Sequence, residues 1–135
     1  MDNNLFARMT NEYLMMLGFN IGCISYDYLK EAIQFCLEDI SLLDGITTRL
    51  YPKVAEKFRV KATVIERGIR NIIDKAYQKG GLLEINTLFN KIVYKNDFKF
   101  SNSEFIALMV YRIKIDIAKE EIAKKYNITL PKYYN

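Results

Sequence analysis

The sequence predicts an all-α domain of about six helices with an embedded helix-turn-helix. Three observations predict it. Apolar residues recur at i, i+3 and i+4 along nearly every segment, and no segment alternates apolar and polar residues over a strand's length. The 6 glycines and 2 prolines of the 135 residues stand mostly where such periodic stretches stop. Half of the residues are apolar, enough for one buried core, and the length suits a single domain over residues 1–135.

The first periodic stretch is "NLFARMTNEYLMML". Leu5, Phe6, Met9, Tyr13, Met16 and Leu17 share one face, and Gly18 suits the position just past a helix end. "GFNIGCIS" reads as a loop, with Ser25 as the cap of a second helix, "YDYLKEAIQFCLEDISLL". Its stripe is Tyr28 or Leu29, Ala32 or Ile33, Cys36, Ile40 and Leu43, and Gly45 follows its end. "TTRLYPKVAEKF" holds a short third helix. Pro52 fits its first turn, where the missing N–H would be unpaired anyway, and Val54, Ala55 and Phe58 are its apolar face. After the turn "RVKA" a fourth helix runs from Thr63 to about Gln78 and ends at the "KGG" of Lys79 to Gly81.

"LLEINTLFNKIVY" reads as a fifth helix with Leu82, Ile85, Leu88, Phe89 and Ile92 inward, and "KNDFKF" as a connector. A long last helix covers "SNSEFIALMVYRIKIDIAKEEIAKKY", capped by Ser101 or Ser103, with Phe105, Ile106, Met109, Ile113, Ile117 and Ala118 inward. Pro131 breaks the tail "NITLPKYYN", which is expected to fray.

Composition narrows the function classes. The net charge of +4 is a mild bias toward a polyanionic partner. Histidine is absent, which removes His-based general bases, Ser-His and Cys-His pairs and His-containing zinc sites. Two cysteines, Cys23 and Cys36, cannot complete a four-ligand zinc site and read as reduced thiols among apolar residues. There is no Gly-rich phosphate loop. No enzyme activity, catalytic residue, cofactor or metal is therefore expected. The acidic start lacks a signal-peptide core and no apolar run reaches a membrane span, so a cytoplasmic location without membrane contact is expected.

Residues Tyr51 to Gln78 carry the most specific layout. Two helices are joined by a turn of about four residues. Val60 anchors the turn, Ala55 is small at the crossing, and Ile65, Ile69, Ile72, Ile73 and Ala76 run down the second helix. This is the spacing of the DNA-binding helix-turn-helix. On a helical wheel the isoleucines share one sector, whereas Thr63, Arg67, Arg70, Asn71 and Asp74 lie opposite. Arginine forks can donate two bonds to guanine, Glu66 can accept from a cytosine amino group, and Asn71 suits adenine or a phosphate. Lys61, Thr63 and Ser103 are expected on phosphates. A plainer reading stands beside this one. "TVIE" has the spacing of a capping box, so Glu66 would bond back to the Thr63 backbone, and Arg70 with Asp74 would form a surface ion pair. Glu66 can serve as cap, reader or both.

"LYPKVAEKF", "VIERGIR" and "SNSEFIALM", with the flanking "YDYLKEAI" and "DISLLDGITTRLYP", resemble the C-terminal effector domain of the stage 0 sporulation protein A family of sporulation response regulators. The resemblance runs from about Leu17 to Asp116. It implies six helices, a helix-turn-helix, and binding to a box similar to TGTCGAA, often in tandem head-to-tail copies. It also implies contact with RNA polymerase and its sigma factor. A homodimer on DNA is a further expectation for the chain. The family's base-contacting Glu and two Arg match Glu66, Arg67 and Arg70. Its Ser at the helix start is Thr63 here, its next residue, an Arg, is Val64, and its His after the second Arg is Asn71. The core target is thus expected to persist with altered flanking preference.

Two departures stand out. The family's receiver domain has no room before this sequence, which suggests a stand-alone paralogue or control from elsewhere. Residues 117–135 form a C-terminal extension, either a dimerisation or partner surface or a plain surface helix with a loose tail. The region that would meet sigma, Lys79 to Asn90, differs enough that activation is not carried over. The alternative class is a protein–protein module that pairs with a related regulator or with RNA polymerase without reading DNA.

Overall fold

The computed structural model describes residues 3–89 and 99–130, with side chains from 4 to 87 and from 99 to 130. Six α-helices form among them: α1 (Asn3–Met16), α2 (Ile24–Glu38), α3 (Tyr51–Phe58), α4 (Ala62–Gln78), α5 (Glu84–Phe89) and α6 (Asn102–Tyr126). The described residues contain no strand, in line with the all-α expectation. Helix α2 is the hub and packs on α1, α3, α4 and α6. Its Leu29, Ala32, Ile33, Cys36 and Leu37 are fully buried in one core with Tyr13 and Leu14 of α1, Ile65 and Ile69 of α4, and Phe105 and Met109 of α6. Each such large side chain contributes about 1.5–3 kcal/mol by leaving water.

The helix ends follow the sequence in part. Gly18 and Gly80 adopt φ values of +84° and +78°, the left-handed conformation that closes α1 and the turn after α4. Ser25 does not cap α2. The extended residue at its start is Cys23 (φ −111°, ψ 153°), whose carbonyl accepts the Tyr26 N–H at 3.1 Å, and Ser25 already lies inside the first turn. A cap must be extended itself, so a hydroxyl two residues later cannot serve.

The second helix also stops earlier than its apolar stripe suggests. Asp39 is extended (φ −141°, ψ 94°), and its carboxylate accepts the Ser41 N–H at 3.1 Å and the Ser41 hydroxyl at 2.6 Å. That local bonding competes with the helix and ends it at Glu38. Residues Ile40–Gly45 then make a 3₁₀ segment, and Ile46–Leu50 a wide π-type turn that feeds α3. As a result Ile40 is 54% exposed, and Leu42 takes the inward place beside the half-buried Leu43. Pro52 sits in the first turn of α3 as expected.

The fifth helix is a 3₁₀ turn, Gly81–Leu83, followed by α5. Leu82 and Ile85 are buried as expected; the expected inward side chains of Leu88, Phe89 and Ile92, and most of the connector, lie outside the described residues. Ser101, not Ser103, caps α6. Its hydroxyl accepts the Glu104 N–H at 3.2 Å, and Glu104 accepts the Ser101 N–H at 2.9 Å, a reciprocal capping box. Ser103 is helical and exposed. Ala118, expected inward, is exposed, because the body of the domain faces the opposite side of α6 there. Helix α6 closes at Asn127 (φ 54°), where the Ile128 N–H returns to the Ala123 carbonyl at 2.8 Å. Pro131 lies outside the described residues.

One buried polar cluster has no precedent in the sequence pattern. Arg112 and Asp116 of α6 form an ion pair, and the Tyr13 hydroxyl of α1 donates to the same carboxylate. The cluster ties α1 to α6 with both charges matched, which is the condition for burying them. Among the described residues no helix is long and apolar enough to cross a membrane.

Candidate nucleic-acid interface

Helices α3 and α4 and the turn between them form the helix-turn-helix. Val54 and Ala55 of α3 and Ile65, Ile69, Ile72, Ile73 and Ala76 of α4 are buried, so the apolar spacing does lock the two helices together. Arg59 takes the left-handed conformation (φ 58°, ψ 44°) at the end of α3, and the Val60 N–H then closes on the Ala55 carbonyl at 3.1 Å. Lys61 is extended and is the residue from which α4 departs. Its carbonyl accepts the Val64 N–H at 3.0 Å.

Helix α4 begins at Ala62, one residue before the expected start, and no side chain caps it. The T-x-x-E spacing therefore does not act as a capping box: Thr63 is inside the helix. Glu66 instead accepts a hydrogen bond from Arg70, one turn further along α4. The expected Arg70–Asp74 surface pair is replaced as well, because Asp74 pairs with Lys99 at 2.9 Å. Glu66 is within i+4 reach of Arg70 with the acid N-terminal, the better orientation for such a pair.

Lys61, Thr63, Arg67, Arg70, Asn71 and Ser103 are all exposed, and Glu66 is half-buried. The N-terminal half of α4 thus presents Thr63, Arg67 and Arg70 on one outward face, with Glu66 at its border. Val64 is 36% exposed on the same half. Asn71 also lines a cleft of about 170 Å³ between α4 and the loop after α1, so it stands at the rim of that face.

Two positioning features were not legible in the sequence. Asn102, at the start of α6, donates to the Tyr51 hydroxyl at 3.1 Å and to the Glu66 backbone carbonyl at 3.0 Å. One side chain thereby joins α3, α4 and α6 beside the outward face. Burial pushes the Tyr51 hydroxyl pKa up, while the Asn102 donor draws it down. The second feature is Gly68, on the inward side of α4. A Cβ there would lie 3.0 Å from both Ser25 Oγ and Tyr28 Cδ2, so the missing side chain lets α4 approach α2 closely. Tyr28 in turn packs edge-on against Phe58 of α3, with ring centroids 5.0 Å apart.

A family model described as "Sporulation initiation factor Spo0A C terminal" matches residues 10–113. The match starts within α1, earlier than the resemblance read from the motifs, and stops slightly before it, within α6. It takes in the whole helix-turn-helix and the Ser101–Glu104 cap. The family is one of DNA-binding transcription regulator domains, not of enzymes. The matched length, the six-helix order and the embedded helix-turn-helix agree, and the chain belongs to the family of the C-terminal effector domain of the sporulation initiation factor Spo0A.

Proposed function

We propose that the chain is a sequence-specific DNA-binding transcriptional regulator that inserts α4 into the major groove. The observation that carries this reading is the outward placement of Arg67 and Arg70 on the N-terminal half of a helix whose opposite face is fully buried. In a helix-turn-helix the N-terminal part of the second helix enters the groove. Arg67 and Arg70 each donate to a guanine edge. Glu66 holds Arg70 in place in the free protein and accepts from a cytosine amino group, or keeps aiming Arg70, in the complex. Asn71, at the rim, reaches an adenine or a phosphate. Lys61, Thr63 and Ser103 take phosphates on either side of the helix. The target is a box similar to TGTCGAA, with Val64 weakening contact to the flanking bases.

The test is binding to a duplex carrying tandem boxes and to a scrambled duplex of the same composition, at two salt concentrations. Preference for the box that survives at the higher salt supports base reading; equal affinity for both duplexes refutes it. Lys61→Ala should weaken both duplexes alike and flatten the salt dependence.

A further inference from the structure

Helix α6 is apolar on two opposite faces. One face, Ile106, Met109, Val110, Ile113 and Ile117, is buried in the domain core. The other carries Tyr111, Ile115, Ala118 and Ile122, which follow one another at alternating steps of four and three residues. Tyr111 is 62% exposed and Ile122 56% exposed, Ala118 is exposed and Ile115 half-buried. Steps of four and three are the period of a coiled-coil seam. A surface helix that buries one stripe ordinarily carries polar residues on the other. The family match ends at residue 113, so three of these four residues lie beyond it.

We propose that this outer stripe is the interface of a two-fold pair with a second copy of this chain, α6 packed antiparallel on the partner's α6. The charges beside the seam select both the occupant and its direction. In the register that sets Ile115 against the partner's Ala118, Tyr111 meets the partner's Ile122, and the stripe covers itself. Lys114 then faces the partner's Glu121, and symmetry repeats that contact. A parallel pair would instead oppose Lys114 to the partner's Lys119. On the other flank Lys119 faces the partner's Arg112, which is buried and already paired with Asp116, so the Lys114–Glu121 contacts decide the direction. The half-buried Leu108 packs on the domain's own core and bounds the stripe at its N-terminal end.

This pair is a different assembly from copies bound head-to-tail on tandem boxes, which are related by translation along the DNA rather than by a two-fold axis. It does not depend on the proposed base contacts. The start of α6, where Asn102 holds α4, lies at opposite ends of the pair, about 43 Å apart along the helix axis at 1.5 Å per residue. The outward faces of the two α4 helices are thus not brought together by the pairing.

Sedimentation equilibrium of the full chain without DNA tests it. The expected result is a reversible dimer whose fraction rises with concentration, lost in Ile122→Glu with helicity unchanged by circular dichroism. Lys114→Glu alone, or Glu121→Lys alone, should weaken self-association about tenfold through two like-charge contacts. Mixing these two single variants, or combining both changes in one chain, should restore pairing. A chain that stays monomeric up to its solubility limit overturns the proposal, and so does a dimer indifferent to Ile122→Glu. Stronger association of Lys114→Glu overturns the antiparallel direction.

Discussion

Replacing Asn102 with Ala is the most informative single change outside the outward face of α4. The side chain donates two hydrogen bonds, to the Tyr51 hydroxyl at 3.1 Å and to the Glu66 carbonyl at 3.0 Å. A net contribution of about 0.5–1.5 kcal/mol per bond gives a loss of about 1–3 kcal/mol in unfolding free energy. Alanine is well tolerated in a first helical turn, so helix propensity adds no penalty, and the Ser101–Glu104 capping box is left in place. Urea denaturation read by circular dichroism measures the loss. Tyr51→Phe removes only the first of the two bonds and should cost about half as much. In the double variant the two losses should fall short of additive by about 0.5–1.5 kcal/mol, because they share that bond. Below its unfolding transition Asn102→Ala should bind box DNA less tightly while its binding to scrambled DNA changes little, since the tether positions α4 without touching phosphates. Fully additive losses, or an unchanged stability, would refute the assignment of Asn102 as the strut between α3, α4 and α6.

Other consequences follow from the packing and the buried groups. Gly68→Ala gains about 1 kcal/mol of helix propensity. Its Cβ would nevertheless lie 3.0 Å from the buried Tyr28 ring, and overpacking of about 1–3 kcal/mol should leave the variant less stable by denaturation. A gain in stability would contradict the close approach of α4 to α2. Tyr13→Phe should cost about 1.5–3 kcal/mol by removing a hydrogen bond to the charged Asp116. Asp116→Ala should cost more, because it breaks the buried ion pair with Arg112 as well as the bond from Tyr13.

Alkali should act through two buried groups. Burial, with Asp39 nearby, pushes the Cys36 thiol up from 9.0 to about 12, and burial, with Asp27 nearby, pushes the Tyr26 hydroxyl up from 10.0 to about 12. Both hold their protons more tightly when folded. Their contribution to stability is complete below pH 9 and is lost as pH rises through about 12. Folded protein should also react with a thiol reagent at the half-buried Cys23 and not at Cys36, and both should react in denaturant.

The parts of the fold that rest on strong periodicity were legible. The isoleucines of α4 recur at the helical period, and all of them are buried. Pro52, Gly18 and Gly80 marked true helix ends because each is suited to a backbone geometry that few residues adopt readily. What failed was decided by competition that a pattern does not display. The stripe through Ile40 and Leu43 continues the period of α2, but the Asp39 carboxylate offers Ser41 a local bond and the helix yields. The T-x-x-E spacing fits a cap at Thr63. Lys61 is nevertheless the extended residue, Ala62 joins the helix without cost, and Glu66 is released to Arg70.

In the candidate interface the outward residues could be read from the wheel, whereas their support could not. Asn102 acts on partners 51 and 36 residues away, and no local spacing announces a contact at that range. Ala118 shows the converse error. An inward place for it extends the helical period of α6, but the core no longer lies on that side of the helix, and the residue joins the outer stripe instead.

The most direct test of the account is the affinity of Arg67→Ala and Arg70→Ala for the box and for scrambled DNA at one salt concentration. Two guanine-reading forks predict a loss of about 1–3 kcal/mol each on the box and little on the scrambled duplex. An equal loss on both duplexes would mean that the arginines meet only phosphates, and it would contradict the reading of bases by α4.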